Sequence, residues 1–243
     1  MFGLSANVFN SLLYFASILF YMGGTVFMYK KFGKTGIFIW SAISVIMANI
    51  EALKMVDMFG FNAGLGNAVY ASSFLATDIL SEMYGKKDGI KAVNIGLITT
   101  LIWVVFSQQV MWFIPNSYDF IQPAFKEIFT LSPVFSIAGI FTYAVTQRAD
   151  VYLYEGWKKV CNKIWDDPRK GLWIRNNGST LISQFLDTVI LMVLVSACGV
   201  YPWEAFWEMT FITYVLKATA NLLDTPFLYI ARKLKENGKV REA

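Results

Sequence analysis

Residues 64–83 read Gly64-Leu65-Gly66-Asn67-Ala68-Val69-Tyr70-Ala71-Ser72-Ser73-Phe74-Leu75-Ala76-Thr77-Asp78-Ile79-Leu80-Ser81-Glu82-Met83. The run has the length of a bilayer crossing, roughly 20 residues for a hydrocarbon core of about 30 Å, yet Asn67, Ser72, Ser73, Thr77, Asp78 and Glu82 interrupt it. Hydropathy alone would drop it or make it re-entrant, and every later segment would then change sides. Charge placement argues for keeping it, because short cytoplasmic loops are rich in Lys and Arg. With 64–83 counted as a crossing, 18 of the 21 Lys and Arg residues fall on one side, including Lys30, Lys31, Lys34, Lys86, Lys87, Lys91 and the clusters around Lys158 and Arg232. Lys54 and Lys126 fall on the other side, and Lys217 lies inside a span.

The rest of the chain agrees with a membrane reading. Its 243 residues are 56% hydrophobic and 16% charged, against about 25% charge in soluble domains. Apolar runs between turn signals give segments at about 7–29, 36–56, 64–83, 91–114, 132–152, 178–198 and 207–231. The expected fold is an all-α polytopic membrane helix bundle, a single integral domain over 1–243 with six to seven transmembrane segments, N-terminus out and C-terminus in. The longest loop, Tyr154 to Asn177, carries Trp157, Trp165 and Trp173 as interfacial anchors. The net charge of +4 reads as a topology and lipid-surface signal, not as a nucleic-acid groove. Cys161 and Cys198 fall on opposite sides of the bilayer and are expected to be free thiols. The chain has no histidine, which removes the commonest acid/base and metal ligand near neutral pH. No metal cluster, nucleophile with an adjacent base or phosphate-cradling loop is legible, so neither an enzyme nor a cofactor or metal is expected.

Charged groups inside a span cost roughly 2.5 to 3.5 kcal/mol each on insertion scales, so their positions carry information. Asn177, Thr180, Gln184 and Asp187 are spaced three, four and three apart, as are Tyr214, Lys217, Asn221 and Asp224; each set lies on one helical face. Tyr143, Gln147, Asp150 and Tyr154 form a third stripe, and Tyr70, Phe74, Thr77 and Asp78 a fourth. Asp78, Asp150, Asp187 and Asp224 outnumber Arg148 and Lys217 by two, an excess that protons or a cationic ligand would neutralise. Two readings follow: the groups pair, Asp187 with Lys217 for instance, and hold the bundle together, or they converge on a site for a small polar, planar ligand. Pro226 would kink the last segment near that site.

Phe74-Leu75-Ala76-Thr77-Asp78-Ile79-Leu80-Ser81-Glu82 with Tyr84-Gly85 resembles the signature of the queuosine precursor transporter family, formerly labelled vitamin uptake transporters. The similarity continues through Gln147, Asp150 and Val151, Trp173 to Thr180, Ser183-Gln184, Asp187-Thr188, and the pair Tyr214 and Lys217. It implies import of 7-cyano-7-deazaguanine or 7-aminomethyl-7-deazaguanine across the bacterial cytoplasmic (inner) membrane, in salvage for tRNA modification. On that footing Asp187 or Asp150 would accept from the guanine-like edge, Gln184, Asn177 or Lys217 would donate to its carbonyl, and Phe74, Tyr143, Trp173 or Tyr214 would stack on the ring. Asp78, Gln147 and Thr180 complete the expected site, with Asp78, Asp150 and Asp187 as candidates for proton coupling. The family is distantly similar to energy-coupling-factor substrate subunits, so a separate ATPase module stays open as a partner beside a secondary carrier, as does a homo-oligomer. The bulky face of segment one, with Leu12, Phe15, Leu19 and Phe20, speaks against such a docking helix.

Overall fold

In the computed structural model of the chain, residues 5–165, 167 and 170–241 are described. They form helices α1 Ala6–Glu51, α2 Asn67–Met83, α3 Lys86–Trp112, α4 Gln122–Ile164, α5 Leu172–Ala197, α6 Phe206–Leu222 and α7 Thr225–Glu236, with one hairpin of β1 Met55–Met58 and β2 Phe61–Gly64. Three of these, α1, α3 and α5, are long and apolar enough to cross a membrane by length and composition.

Helix α1 covers two of the expected segments because it reverses at Gly33, whose φ of 54° and ψ of −137° lie outside helical space. The two arms run back along each other: the Tyr21 hydroxyl donates to the Glu51 carboxylate, and Gly24 faces the Trp40 ring closely enough that a Cβ would meet it. A side chain at Gly33 would hold its backbone in a region that L-residues avoid, at a cost of about 1–3 kcal/mol. Gly33→Ala is therefore expected to lower the melting temperature of the purified protein by several degrees.

From Ala71 to Ser81 every residue of α2 is buried. It packs against α1, α3, α4, α6 and α7 and is hydrogen-bonded to α5, so it is the central strut of the bundle. By contrast α3 turns Ile98, Leu101, Ile102, Val105 and Phe106 outward, and the first arm of α1 does the same with Leu12, Leu19 and Phe20. These are the faces a lipid environment would cover.

Several boundaries differ from the sequence expectation. The second arm of α1 ends at Glu51, so the expected segment to 56 runs too long; residues 55–64 instead form the hairpin, in register Met55↔Gly64 to Met58↔Phe61. Phe59 and Gly60 both have positive φ, 55° and 80°, the backbone of a tight hairpin turn. Its Phe-Gly pair lacks the usual Asn-Gly or Asp-Gly signal. The hairpin is tied to the start of α1, the Phe59 amide donating to Ser11 Oγ at 2.9 Å and Asn10 Nδ2 to the Asp57 carbonyl at 3.0 Å. The expected long loop from Tyr154 is mostly helix, since α4 continues to Ile164 and α5 begins at Leu172. The last segment is interrupted, with α6 ending at Leu222 and α7 starting at Thr225 with Pro226 in its first turn.

One end of the bundle gathers the cations. Lys34 pairs with Asp88 at 3.1 Å, the Arg241 amide donates to the Lys30 carbonyl at 3.1 Å, and Lys34 and Lys235 both lie over the Tyr84 ring. Stretches far apart in sequence thus bring their positive charges together, as the loop count implied. The hairpin marks the opposite end.

Candidate ligand site

Beside the hairpin end lies a cavity of about 170 Å³, smaller than the roughly 300–1,000 Å³ of drug-sized sites and on the scale of a single small planar molecule. Its walls come from the second arm of α1, α2 to α6 and the two roots of the hairpin, with Asn49, Asn67, Tyr70, Tyr143, Asp187 and Lys217 supplying the larger polar groups. Asp187 is the hub. Its Oδ1 accepts from the Tyr70 hydroxyl at 2.8 Å and from Thr146 Oγ1 at 2.9 Å, and its Oδ2 from Lys217 Nζ at 2.5 Å. The side chains of the pair are 2% and 5% exposed, so carboxylate and ammonium compensate each other out of water. Lys217 Nζ also lies 5.0 Å from the centre of the Tyr70 ring, a cation–π contact. Tyr70 and Tyr143 sit 6.2 Å apart, tilted by 59°. Tyr143 fits because α3 has Gly96 opposite its hydroxyl, where any Cβ would collide. That hydroxyl is buried with no partner among the described residues.

Further toward the cationic end lies a second polar layer. Asp78 Oδ2 accepts from Thr180 Oγ1 at 3.3 Å, Asp150 Oδ1 from Ser183 Oγ at 2.7 Å, and Asp224 Oδ1 from Asn176 Nδ2 at 2.7 Å. Asp78 Oδ1, Asp150 Oδ2 and Asp224 Oδ2 are each buried without a partner among the described residues. Gln147 links the two layers, donating to Ser73 Oγ at 3.0 Å and accepting from Thr77 at 3.4 Å.

Beyond this layer, Glu82 at the end of α2 ties four helices together. Its Oε1 accepts from Arg175 of α5 and Arg232 of α7, both at 2.6 Å, and its Oε2 from Arg175 Nε at 3.0 Å and the Tyr154 hydroxyl of α4 at 3.1 Å. Lys158 of α4 adds a 3.6 Å ion pair and donates to the Ser81 and Glu82 carbonyls. Cations at a helix C-terminus also complement its dipole.

Of the residues expected at the site, Tyr143, Asp187 and Lys217 line the cavity. Phe74 is buried behind it, edge-on to Tyr70 at 5.5 Å. Asp78, Asp150, Asn177, Thr180 and Gln184 belong to the deeper layer or its surroundings, with both amide atoms of Gln184 unpartnered among the described residues. Two stacking candidates fall elsewhere. Trp173 is 55% exposed, and Tyr214 donates to the Leu181 carbonyl at 3.4 Å and packs edge-on against Phe185, off the cavity. Arg148 pairs with Asn94 at 2.8 Å instead of an interior carboxylate. The sequence places Tyr70 on a polar stripe and Asn67 among the polar residues of segment 64–83 without giving either a ligand role, and it gives none to Asn49, Thr100, Thr142 and Thr213, which also line the cavity. Asn67 stands three residues before Tyr70 and prolongs that stripe, the one signal that could have found it. Cys161 is buried and Cys198 exposed, and both are free.

A family model described as "Putative vitamin uptake transporter" matches residues 64–231. A "Probable queuosine precursor transporter" of Bacillus subtilis (strain 168) is 35% identical over 237 residues, 98% of each chain. The chain belongs to this transporter family. A "Probable queuosine precursor transporter" of Haemophilus influenzae is 22% identical over 180 residues, 73% of this chain and 72% of that protein. No solved structure matches the chain significantly. Membership makes this a multi-pass membrane transporter and not an enzyme, and the matched span from 64 to 231 takes in all of α2 to α6 and with them most of the cavity wall.

Proposed function

We propose that the protein imports queuosine precursors, 7-cyano- or 7-aminomethyl-7-deazaguanine, across the bacterial cytoplasmic membrane as a secondary carrier. The observation that carries this reading is the Asp187 hub on the wall of a cavity flanked by two tyrosine rings. A guanine-like edge presents a ring N–H beside an exocyclic amine, and a carboxylate with spare lone pairs accepts both. Oδ1 of Asp187 already holds two donors and Oδ2 one, so Oδ2 keeps a spare site and the second ligand donor takes the place of Tyr70 or Thr146 on Oδ1. Lys217 carries further N–H donors for the ring carbonyl, and Tyr70 and Tyr143 supply flat apolar surface against the base. The relatives' name points to the same substrate class.

The gathered cations support a reading in which that end of the bundle faces the cytoplasm, with the hairpin and cavity toward the outside, N-terminus out, C-terminus in, and six to seven crossings. Asp78, Asp150 and Asp187 are the groups we assign to proton coupling, the first two because each keeps a buried oxygen without a partner. In vesicles containing the protein, labelled 7-deazaguanine base should accumulate above empty-vesicle levels, and accumulation should collapse with the proton gradient. Uptake unchanged after that collapse would sink the coupling, and none above background would sink the transport.

A further inference from the structure

We propose that the cavity selects the uncharged member of this ligand class, taking a 7-cyano base in preference to a 7-aminomethyl one, because its two charged walls cancel. The inference rests on the substrate class proposed above and goes beyond it. Among the described residues that line the cavity, Asp187 and Lys217 are the two that carry charge, and they are joined at 2.5 Å. The other polar walls, Asn49, Asn67, Tyr70 and Tyr143 among them, are neutral groups. The surplus of carboxylates lies elsewhere. Asp78 stands eight residues past Tyr70 on α2, about 12 Å further along the helix, and neither it nor Asp150 nor Asp224 lines the cavity.

A ligand ammonium entering this space would leave water for a carboxylate already bound by an ammonium and two hydroxyls. It would also approach Lys217, which donates and never accepts. Burying a cation without a free counter-charge is strongly unfavourable. A nitrile carries no charge and is a pure acceptor, so it suits the remaining N–H groups of Lys217 and the buried, unpartnered hydroxyl of Tyr143. An alkyl amine stays protonated near neutral pH, as lysine does, so the two bases differ at one substituent chiefly in charge. Lys217 is on this account a specificity-determining residue: it cancels the charge of Asp187.

Binding of both bases to the purified full-length protein at pH 7, by calorimetry, decides the matter. The 7-cyano base should bind at least tenfold more tightly than the 7-aminomethyl base. Equal affinity, or a preference for the aminomethyl base, overturns the inference while leaving the substrate class standing. Binding of neither overturns the substrate class and this inference with it. In Lys217→Met, Asp187 is left uncompensated and the preference should reverse toward the cation; an unchanged ratio there also overturns the role given to Lys217. If that variant does not fold, the wild-type ratio alone decides.

Discussion

Replacing Glu82 by alanine should cost about 3–5 kcal/mol of stability, the range for breaking a buried ion pair from one side, and lower the melting temperature of the purified protein by roughly 10 °C. The size follows from what is left behind. Glu82 is the shared acceptor for Arg175, Arg232 and Lys158, whose side chains are 1%, 13% and 24% exposed. Removing one carboxylate takes the shared acceptor from three cations; Arg232 keeps Glu236 at 3.0 Å and Lys158 its two carbonyls, whereas the guanidinium of Arg175 loses its carboxylate where it can reach little water. The surface pair Lys34–Asp88, with side chains 38% and 21% exposed, sets the contrast: Lys34→Ala should stay within about 1 kcal/mol. Equal effects of the two substitutions on thermal unfolding would remove Glu82 from its place as the tie between α2, α4, α5 and α7.

The second large effect belongs to Asp187. Asp187→Ala leaves Lys217 buried and unpaired, a loss of about 3–5 kcal/mol, and takes away the acceptor of the proposed ligand edge, so thermal stabilisation by any deazaguanine should vanish. Stability and recognition can be told apart because a buried pair removed as a whole is often nearly neutral. The double variant Asp187→Ala with Lys217→Met should therefore be more stable than Asp187→Ala alone while its response to ligand stays absent. Recovery of the ligand response in the double variant would make Asp187 a strut and nothing more. The two readings of the polar stripes, pairing and ligand binding, thus meet in one residue: Asp187 is bonded to Lys217 and also faces the cavity.

Much of the architecture was legible because it rests on periodicity and charge. Spacings of three and four put Asp187 and Lys217 on facing sides of α5 and α6, and the loop cations do collect at one end. The depth of each group was harder to read. Asp78 and Asp150 share helix faces with Tyr70 and Tyr143 yet lie in a different layer, and spacing along one helix says nothing about which neighbouring helix ends where. The hairpin escaped because its turn is Phe-Gly and its strands have four residues each, too short for alternation to register. Trp173 and Tyr214 were placed by residue type, but aromatic rings serve the outer surface of a membrane protein as readily as its interior, and Trp173 is on that surface. The segment 64–83 looked weak because hydropathy measures fitness for lipid, and α2 is enclosed by protein.

Enclosure also has a consequence in time. A lone Asp78 at mid-bilayer would cost about 2.5–3.5 kcal/mol; Trp40 of α1 reaches Ser72 before α2 is complete, but Thr180 on α5, which bonds Asp78, and Gln147 on α4 and Asp187 on α5, which bond Ser73 and Tyr70, leave the ribosome after it. The chain therefore cannot settle helix by helix in the order of its synthesis. Its centre is made after α1 but before the other helices that enclose it, and it has to wait for them to arrive.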